Sequence, residues 1–401
     1  MNLKKVFGFA NKETIMPFSS ETIIPIASVS KTFIGFSVMK AIDLGYFTLE
    51  TNINDVLPFK VVNPYQPNET ITIRQLVNHT SGLIDNLKFY DKAYNKGKKP
   101  NLTLGDYLKA YYIKDGEMYS KANFSKFKVG SNHEYSNIAS ALTAYIIEVK
   151  ANMSFADFTK KHIFEPLQMT NSHWFYVDAF TSKYATLYQV DAPDYAFKEI
   201  ENKDGSLQSY SCATYSDGSL KTSASDLAKY LVDMPKGYEG KSNLLSKSSY
   251  ITLFKKQFSD DNMPKNIDPK ESNRGVFWAY NKKDKLMHTG SDLGVASFVS
   301  IDPKTKIIRI LLFNTALDGQ NNEKTFENFK KIIGEIETFE NGLNSAMYNF
   351  LALRQYCFVP RNRCRRAFCY NLFSFVPKTR QKRISISTFS LWRILNVEIL
   401  F

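Results

Sequence analysis

The chain has 401 residues and a mass of 46.0 kDa, enough to bury one large core or two ordinary ones. Its 43% hydrophobic and 23% charged content is that of a globular protein and excludes wholesale disorder, collagen and low complexity, and no run of 18 uncharged apolar residues is present to form a transmembrane helix. The net charge of +13 is concentrated in residues 345–401, which carry ten Lys/Arg and one acid, Glu398; the body is nearly balanced and gives no reason to expect nucleic acid as a partner.

In chain order, Val6 to Ala10 followed by Asn11-Lys12 reads as the end of a strand. That apolar run is shorter than the roughly 7–15 residues of a signal-peptide core, so no export signal is expected. An extended piece, Ile23 to Ala27, leads into a predicted helix over 28–44, where Phe33, Phe36, Met39, Ile42 and Leu44 recur at steps of three and four until Gly45. Further helical patterns fall at 72–79, 104–112, 137–150 and 154–162, separated by polar loops rich in Asn, Lys and Pro. Residues 172–222 are irregular and aromatic, and Ser223 to Met234 reads as a helix with Asp226 in its first turn. The short β-branched or aromatic runs 276–280, 285–289, 294–301 and 306–314 then have the punctuation of an antiparallel meander, and Glu323 to Ile336 gives a closing amphipathic helix. The expected fold class is α/β (α+β): an antiparallel sheet built from both chain ends and flanked by helices, with an inserted, mainly helical region. The expected folded domain is 1–340, followed by a basic tail, 341–401, that is not a domain. Three cysteines, Cys357, Cys364 and Cys369, fall in that tail and only Cys212 in the body, so no disulfide framework holds the fold.

Ser28-Val29-Ser30-Lys31 opens the first long helix. A serine followed by lysine at i+3 puts hydroxyl and amine on one face, one turn apart, beside the positive field of the helix N-terminus. A lysine held away from water loses its proton readily enough to accept that of the hydroxyl. The same spacing recurs at Ser37/Lys40 and Ser125/Lys128, so a single copy is explained by composition. The first copy has company: Tyr135-Ser136-Asn137 at the mouth of a predicted helix, and His288-Thr289-Gly290 at the end of a predicted strand.

In that order and those contexts the three boxes resemble the serine β-lactamase and penicillin-binding protein superfamily, specifically its class C β-lactamase, D-alanyl-D-alanine carboxypeptidase and esterase branch. The segments Pro25 to Phe33, Leu76 to Leu83 and Ser223 to Ala228 resemble the same branch, and together the likeness runs from about residue 5 to about 338. It implies that Ser28 is an acylated nucleophile, Lys31 its proton acceptor or electrostatic partner, and Tyr135 a phenolic acid/base. Asn137 would orient Lys31 and the substrate. The backbone N–H groups of Ser28 and Ser291 would form the oxyanion hole, with His288, Thr289 and Gly290 on the substrate-binding strand. It further implies a serine hydrolase that acts through an acyl-enzyme on an amide, β-lactam or ester carbonyl of a small-molecule or peptide substrate, as a monomer, in a family that is usually exported; the alternative is a non-catalytic penicillin-recognising or scaffold relative, or a truncated gene product without activity. With no P-loop and no G-x-G-x-x-G in the sequence, no cofactor is expected, and no metal. Where many relatives present a lysine, His288 presents an imidazole with an ordinary pKa of about 6.5, expected to titrate near neutrality.

Other features carry plainer readings. His79-Thr80-Ser81-Gly82 reads as a structural turn stabilised by its hydroxyls. His133-Glu134 is not a metalloprotease box, because position 137 is Asn, and the five histidines show no ligand spacing. Members of the branch usually carry a further helix and strand before the segment matching Val6 to Ala10, so an unpaired sheet edge is expected here. The tail is read first as an unselected read-through or frame-shifted extension, with a peripheral membrane anchor or a real binding segment as the alternatives.

Overall fold

The computed structural model describes residues 4–189, 198–316, 327, 329–339 and 342, and the backbone of 397–400. They fall into two units, one drawn from Met1–Ala316 with Leu395–Phe401 and the other from Leu317–Ile394. In the second unit 329–339 are helical, overlapping the expected Glu323 to Ile336 pattern and running three residues past its end; residues 323–326 and 328, the three tail cysteines and most of the tail lie outside the described residues.

The first unit is organised around an antiparallel sheet of seven strands: β1 (Lys4–Val6), β2 (Glu271–Arg274), β3 (Ala279–Asn281), β4 (Leu286–Asp292), β5 (Val295–Ile301), β6 (Ile308–Phe313) and β7 (Val397–Leu400). Their order is β1-β7-β6-β5-β4-β3-β2. The expected meander is the run β3 to β6, with His288 opposite Val299 and Gly290 opposite Ser297. β1 is an outer strand of the sheet, and its inner side is paired: β7 stands between β1 and β6, with Lys5 opposite Ile399 and Leu311 opposite Ile399 on its other side.

The main helices of this unit are α1 (Lys31–Asp43), α2 (Ile73–Val77), α3 (Leu104–Tyr112), α4 (Asn137–Ala151), α5 (Ala224–Tyr238) and α6 (Lys247–Phe254). Each expected helix is present within a few residues, except that 154–162 is a short helix, Phe155–Thr159, continued as one π turn. The apolar stripe of α1 predicts one buried face. Instead every residue from Lys31 to Met39 is buried, because α4 and α6 both pack against it. Phe33 stacks on Tyr230 with ring centroids 3.9 Å apart, and Phe36 meets Tyr250 edge to face at 5.9 Å.

The close packing of α1 has a tight point at Gly35, where an added Cβ would lie 2.6 Å from the carbonyl oxygen of Val276. Replacing Gly35 by Ala raises helix propensity by about 1 kcal/mol but forces α1 off a backbone that has nowhere to move, an overpacking cost of roughly 1–3 kcal/mol. The second effect is the larger. Gly35→Ala is therefore expected to lower the denaturant midpoint, and an unchanged or raised midpoint would show that this contact relaxes freely.

Candidate active site

Ser28 lies in a single 3-10 turn, Ala27–Ser30, immediately ahead of α1. Ala27 has φ +44°, a left-handed conformation that costs a non-glycine residue about 1–3 kcal/mol. Anchors on both sides hold it there. The Ile26 N–H donates to the Leu220 carbonyl at 2.9 Å, the Leu220 N–H donates to Ser30 Oγ at 3.2 Å, and Ser297 Oγ of β5 donates to the Ile26 carbonyl at 2.7 Å. Strand β4 crosses directly against this turn at Gly290, where a Cβ would fall 2.4 Å from Ser297 Oγ, 2.5 Å from the Ile26 carbonyl and 3.0 Å from the Ser28 nitrogen. Only glycine allows that approach, and the next residue, Ser291, lines the same cleft as Ser28.

Lys31 is fully buried and its ammonium has three acceptors: Ser28 Oγ at 3.1 Å, Asn137 Oδ1 at 2.7 Å and the Asp217 carbonyl at 2.8 Å. An ammonium has three N–H donors, so this set satisfies it completely. Asn137 is placed by the start of α4, where Ser136 is the N-cap and its Oγ accepts the Ala139 N–H at 3.0 Å. The carboxylate of Asp85 accepts from Ser136 Oγ at 2.7 Å, from the Asn137 N–H and Nδ2 both at 2.9 Å, and from the Ile138 N–H at 3.0 Å. Asp85 thus caps α4 with a negative charge and turns the Asn137 amide so that its oxygen faces Lys31. Sequence reasoning missed Asp85; its partners lie more than fifty residues away and no local pattern marks it.

Tyr135 is 39% exposed, open to a substrate, with Lys31 Nζ 5.1 Å from its ring centroid. Its ring lies against that of His79, centroids 4.5 Å apart and tilted by 32°. His79 is buried at φ +59°, and its Nδ1 accepts the Ser136 N–H at 3.3 Å. Burial, reinforced by the cations Arg274 and Lys31 and by His133, holds its pKa well below the usual value. The segment is the turn the sequence predicts, and its histidine is also the platform on which Tyr135 rests.

His288 differs from expectation. It is buried, its Nδ1 lies 2.7 Å from the Thr289 carbonyl and so carries the proton, and burial together with the Lys31 charge pushes its pKa down to about 3. The imidazole is neutral throughout the physiological range rather than titrating near neutrality. Alternation along β4 buries His288 and Gly290 and exposes Thr289 and Ser291. Arg274, also missed, is a buried cation on the same wall, paired with Glu271 at 2.8 Å.

These groups converge on a cleft of about 720 Å³, lined among others by Ser28, Tyr135, Asn137, His288, Thr289 and Ser291. Lys31 and Gly290 stand directly behind its wall, so all eight sequence-predicted residues are brought together. The other two serine/lysine spacings are not: Ser37 is buried within α1, and Ser125 Oγ donates to Glu134. The arrangement is a serine hydroxyl beside a fixed cation, an exposed phenol and a strand edge, which suits nucleophilic attack on a carbonyl carbon.

The family described as Beta-lactamase matches residues 2–328. Protein flp of Staphylococcus aureus (strain MW2) is 25% identical over 315 residues, which are 78% of this chain and 57% of that protein, so the chain spans little more than half of its length. Among solved structures, a penicillin-binding protein from Bacillus halodurans superposes with TM-score 0.58 at 21% identity, covering 82% of this chain and 94% of that one. A D-amino acid amidase from Ochrobactrum anthropi superposes with TM-score 0.62 at 18% identity, covering 84% and 93%. These likenesses establish the β-lactamase/transpeptidase-like fold.

Asp85→Ala removes four hydrogen-bond acceptor contacts at the mouth of α4 and frees Asn137. A loss of about 2–3 kcal/mol of stability is expected in urea denaturation, in line with hydrogen bonds to a charged group, and Asp85→Asn should lose less. A change below about 0.5 kcal/mol, the range of ordinary surface substitutions, would show that water replaces the carboxylate at no cost.

Proposed function

The chain belongs to the Beta-lactamase family, and on that ground we propose that it is a serine hydrolase that forms an acyl-enzyme at Ser28 with an amide, β-lactam or ester substrate. The observation that carries this reading is the fully satisfied, buried Lys31, which donates to Ser28 Oγ while Asn137 and the Asp217 carbonyl hold it in place. In that geometry Lys31 is a fixed cation, and the exposed phenol of Tyr135 is the group free to move protons.

Attack forms the bond from Ser28 Oγ to the substrate carbonyl carbon, and the hydroxyl proton passes to the Tyr135 oxygen as the phenol hands its own proton toward the nitrogen or oxygen that will depart, so that Tyr135 is a neutral phenol before and after. The Lys31 charge stabilises the anionic side of that transfer. The N–H groups of Ser28 and Ser291 receive the negative charge on the carbonyl oxygen. The C–N or C–O bond to the leaving group then breaks, with the proton delivered from Tyr135 to the departing nitrogen or oxygen. Water repeats the sequence in the second half: its proton goes to Tyr135, its oxygen bonds to the acyl carbon, and the serine leaves with the returned proton.

Incubation with a fluorophosphonate is expected to add mass to the peptide containing Ser28, and Ser28→Ala to abolish the label. Labelling at Ser37 or Ser125 instead would overturn the assignment. Tyr135→Phe should slow acyl transfer by about 10²–10⁴-fold, the worth of a positioned acid/base group; unchanged turnover would remove Tyr135 from the mechanism.

A neutral His288 offers no counter-charge to a substrate carboxylate, so uncharged esters and amides lose nothing in this cleft. Because a pKa of about 3 lies below the working range, the imidazole contributes no ionisation between about pH 5.5 and 8.5. The ratio of kcat/KM for nitrocefin to that for a neutral p-nitrophenyl ester should therefore follow the same pH profile in wild type and His288→Gln. A step near pH 6.5, the ordinary histidine value, that disappears in the Gln variant would show that His288 titrates and reads the carboxylate.

A further inference from the structure

The first unit has a second cavity, of about 930 Å³, between the last turn of α4 and the loop that leads into α3, and it shares no lining residue with the cleft at Ser28. Its volume is that of a small-molecule site. Most of the wall is apolar, with Leu102, Leu104, Val149, Met153 and Phe175, and the rings of Tyr145 and Tyr215 stand beside them. One carboxylate interrupts that lining, Glu148 of α4.

Glu148 is half-buried, and only one of its oxygens is engaged. The Phe155 N–H and the Tyr215 hydroxyl donate to Oε1 at 2.8 and 2.9 Å; among the described residues Oε2 accepts no hydrogen bond and the carboxylate forms no ion pair. Burial raises its pKa, and the charge that bears on it, Asp157, is another acid and acts in the same direction. Asp106 and Glu148 both raise the neighbouring Tyr145. The end of α4 adds partial negative charge from its last carbonyls. Lys99 also belongs to the lining; it is exposed, and its charge acts on Asp178.

These features select a ligand class. An anion would meet acids and the negative end of a helix, and a neutral molecule would leave the carboxylate unmatched. A hard metal ion takes six or more oxygen ligands, and this wall offers one carboxylate. An ammonium on an apolar body suits both parts of the wall, because the carboxylate pairs with it, aromatic rings attract it and apolar side chains cover the rest.

We propose that this cavity is a second ligand site, separate from Ser28, for a small amphipathic amine. Its ammonium group is received by Glu148 beside the rings of Tyr145 and Tyr215, and its apolar body lies on Leu102, Val149, Met153 and Phe175. The site stands independently of the acyl-transfer reading.

The test is titration of the full chain with hexylamine, 1-hexanol and hexanoate, three probes with one apolar chain and different head groups, followed by ligand-observed NMR. Hexylamine should bind about 10-fold or more tightly than 1-hexanol, the worth of a hydrogen bond to a charged group, and hexanoate more weakly than either. A glutamine amide oxygen accepts from Phe155 and Tyr215 as the carboxylate does, so Glu148→Gln removes the charge and keeps the Tyr215–Asp217 turn that serves Lys31. In that variant the preference for the amine over the alcohol should fall toward unity. Leu102→Arg, at a side chain 45% exposed, places a cation in the cavity without touching the core and should weaken the amine more than the alcohol. Equal affinity for amine and alcohol in the wild type, or no binding of the amine, overturns the proposal. So does a preference that survives Glu148→Gln or Leu102→Arg, because the amine then sits elsewhere, the acids of the main cleft included. The wild-type and Leu102→Arg arms stand even where Glu148→Gln fails to fold.

Discussion

A buried ammonium must have its donors filled, and Lys31 meets that demand with one acceptor from each of three distant parts of the chain: Ser28 of its own turn, Asn137 at the start of α4, and the Asp217 carbonyl. Those three bonds join the Ser28 turn, the helical region and the loop ahead of the Lys221–Ser223 strand at a single atom. Displacement of any one leaves a buried charge short of a partner, so the requirement reaches outward. Asn137 depends on Asp85, α1 depends on Gly35 to lie close enough, and the strained Ala27 depends on its anchors at Leu220 and Ser297.

Around that cation the cleft is divided by charge. On one part of its wall stands Arg274, paired with Glu271, together with His133 and His288, whose protonated forms are suppressed by burial to pKa values of about 4 and about 3. On another stand Asp217 and Asp292 with their tyrosines, acids raised by burial and held by phenols. The same desolvation acts in opposite directions on bases and acids, driving each toward its neutral form. Lys31, saturated with acceptors, keeps its place between them.

The fold is shared with proteins named as penicillin-binding proteins and an amidase, and a fold common to different chemistries does not name the substrate. The three motif boxes set the geometry around Ser28, and the wall residues outside them set the charges and shapes that surround it.

The sequence by itself determined the features that rest on short-range spacing. Ser28 and Lys31 are one helical turn apart wherever that helix forms, Tyr135 and Asn137 flank one helix start, and the alternation around His288 to Ser291 fixes which side chains of that strand share a face. The helix and strand pattern followed for the same reason, since periodicities of 3.6 and 2 are written locally. Tertiary structure alone decided the rest. Asp85 becomes a cap only when a turn fifty residues away meets it, His79 becomes a platform only when Tyr135 is laid across it, and β7 becomes an inner strand only by pairing with both β1 and β6. The ionisation of His288 was likewise invisible in the sequence, because a pKa is set by the solvent and charges surrounding a group, and these exist only once distant segments have excluded water from it.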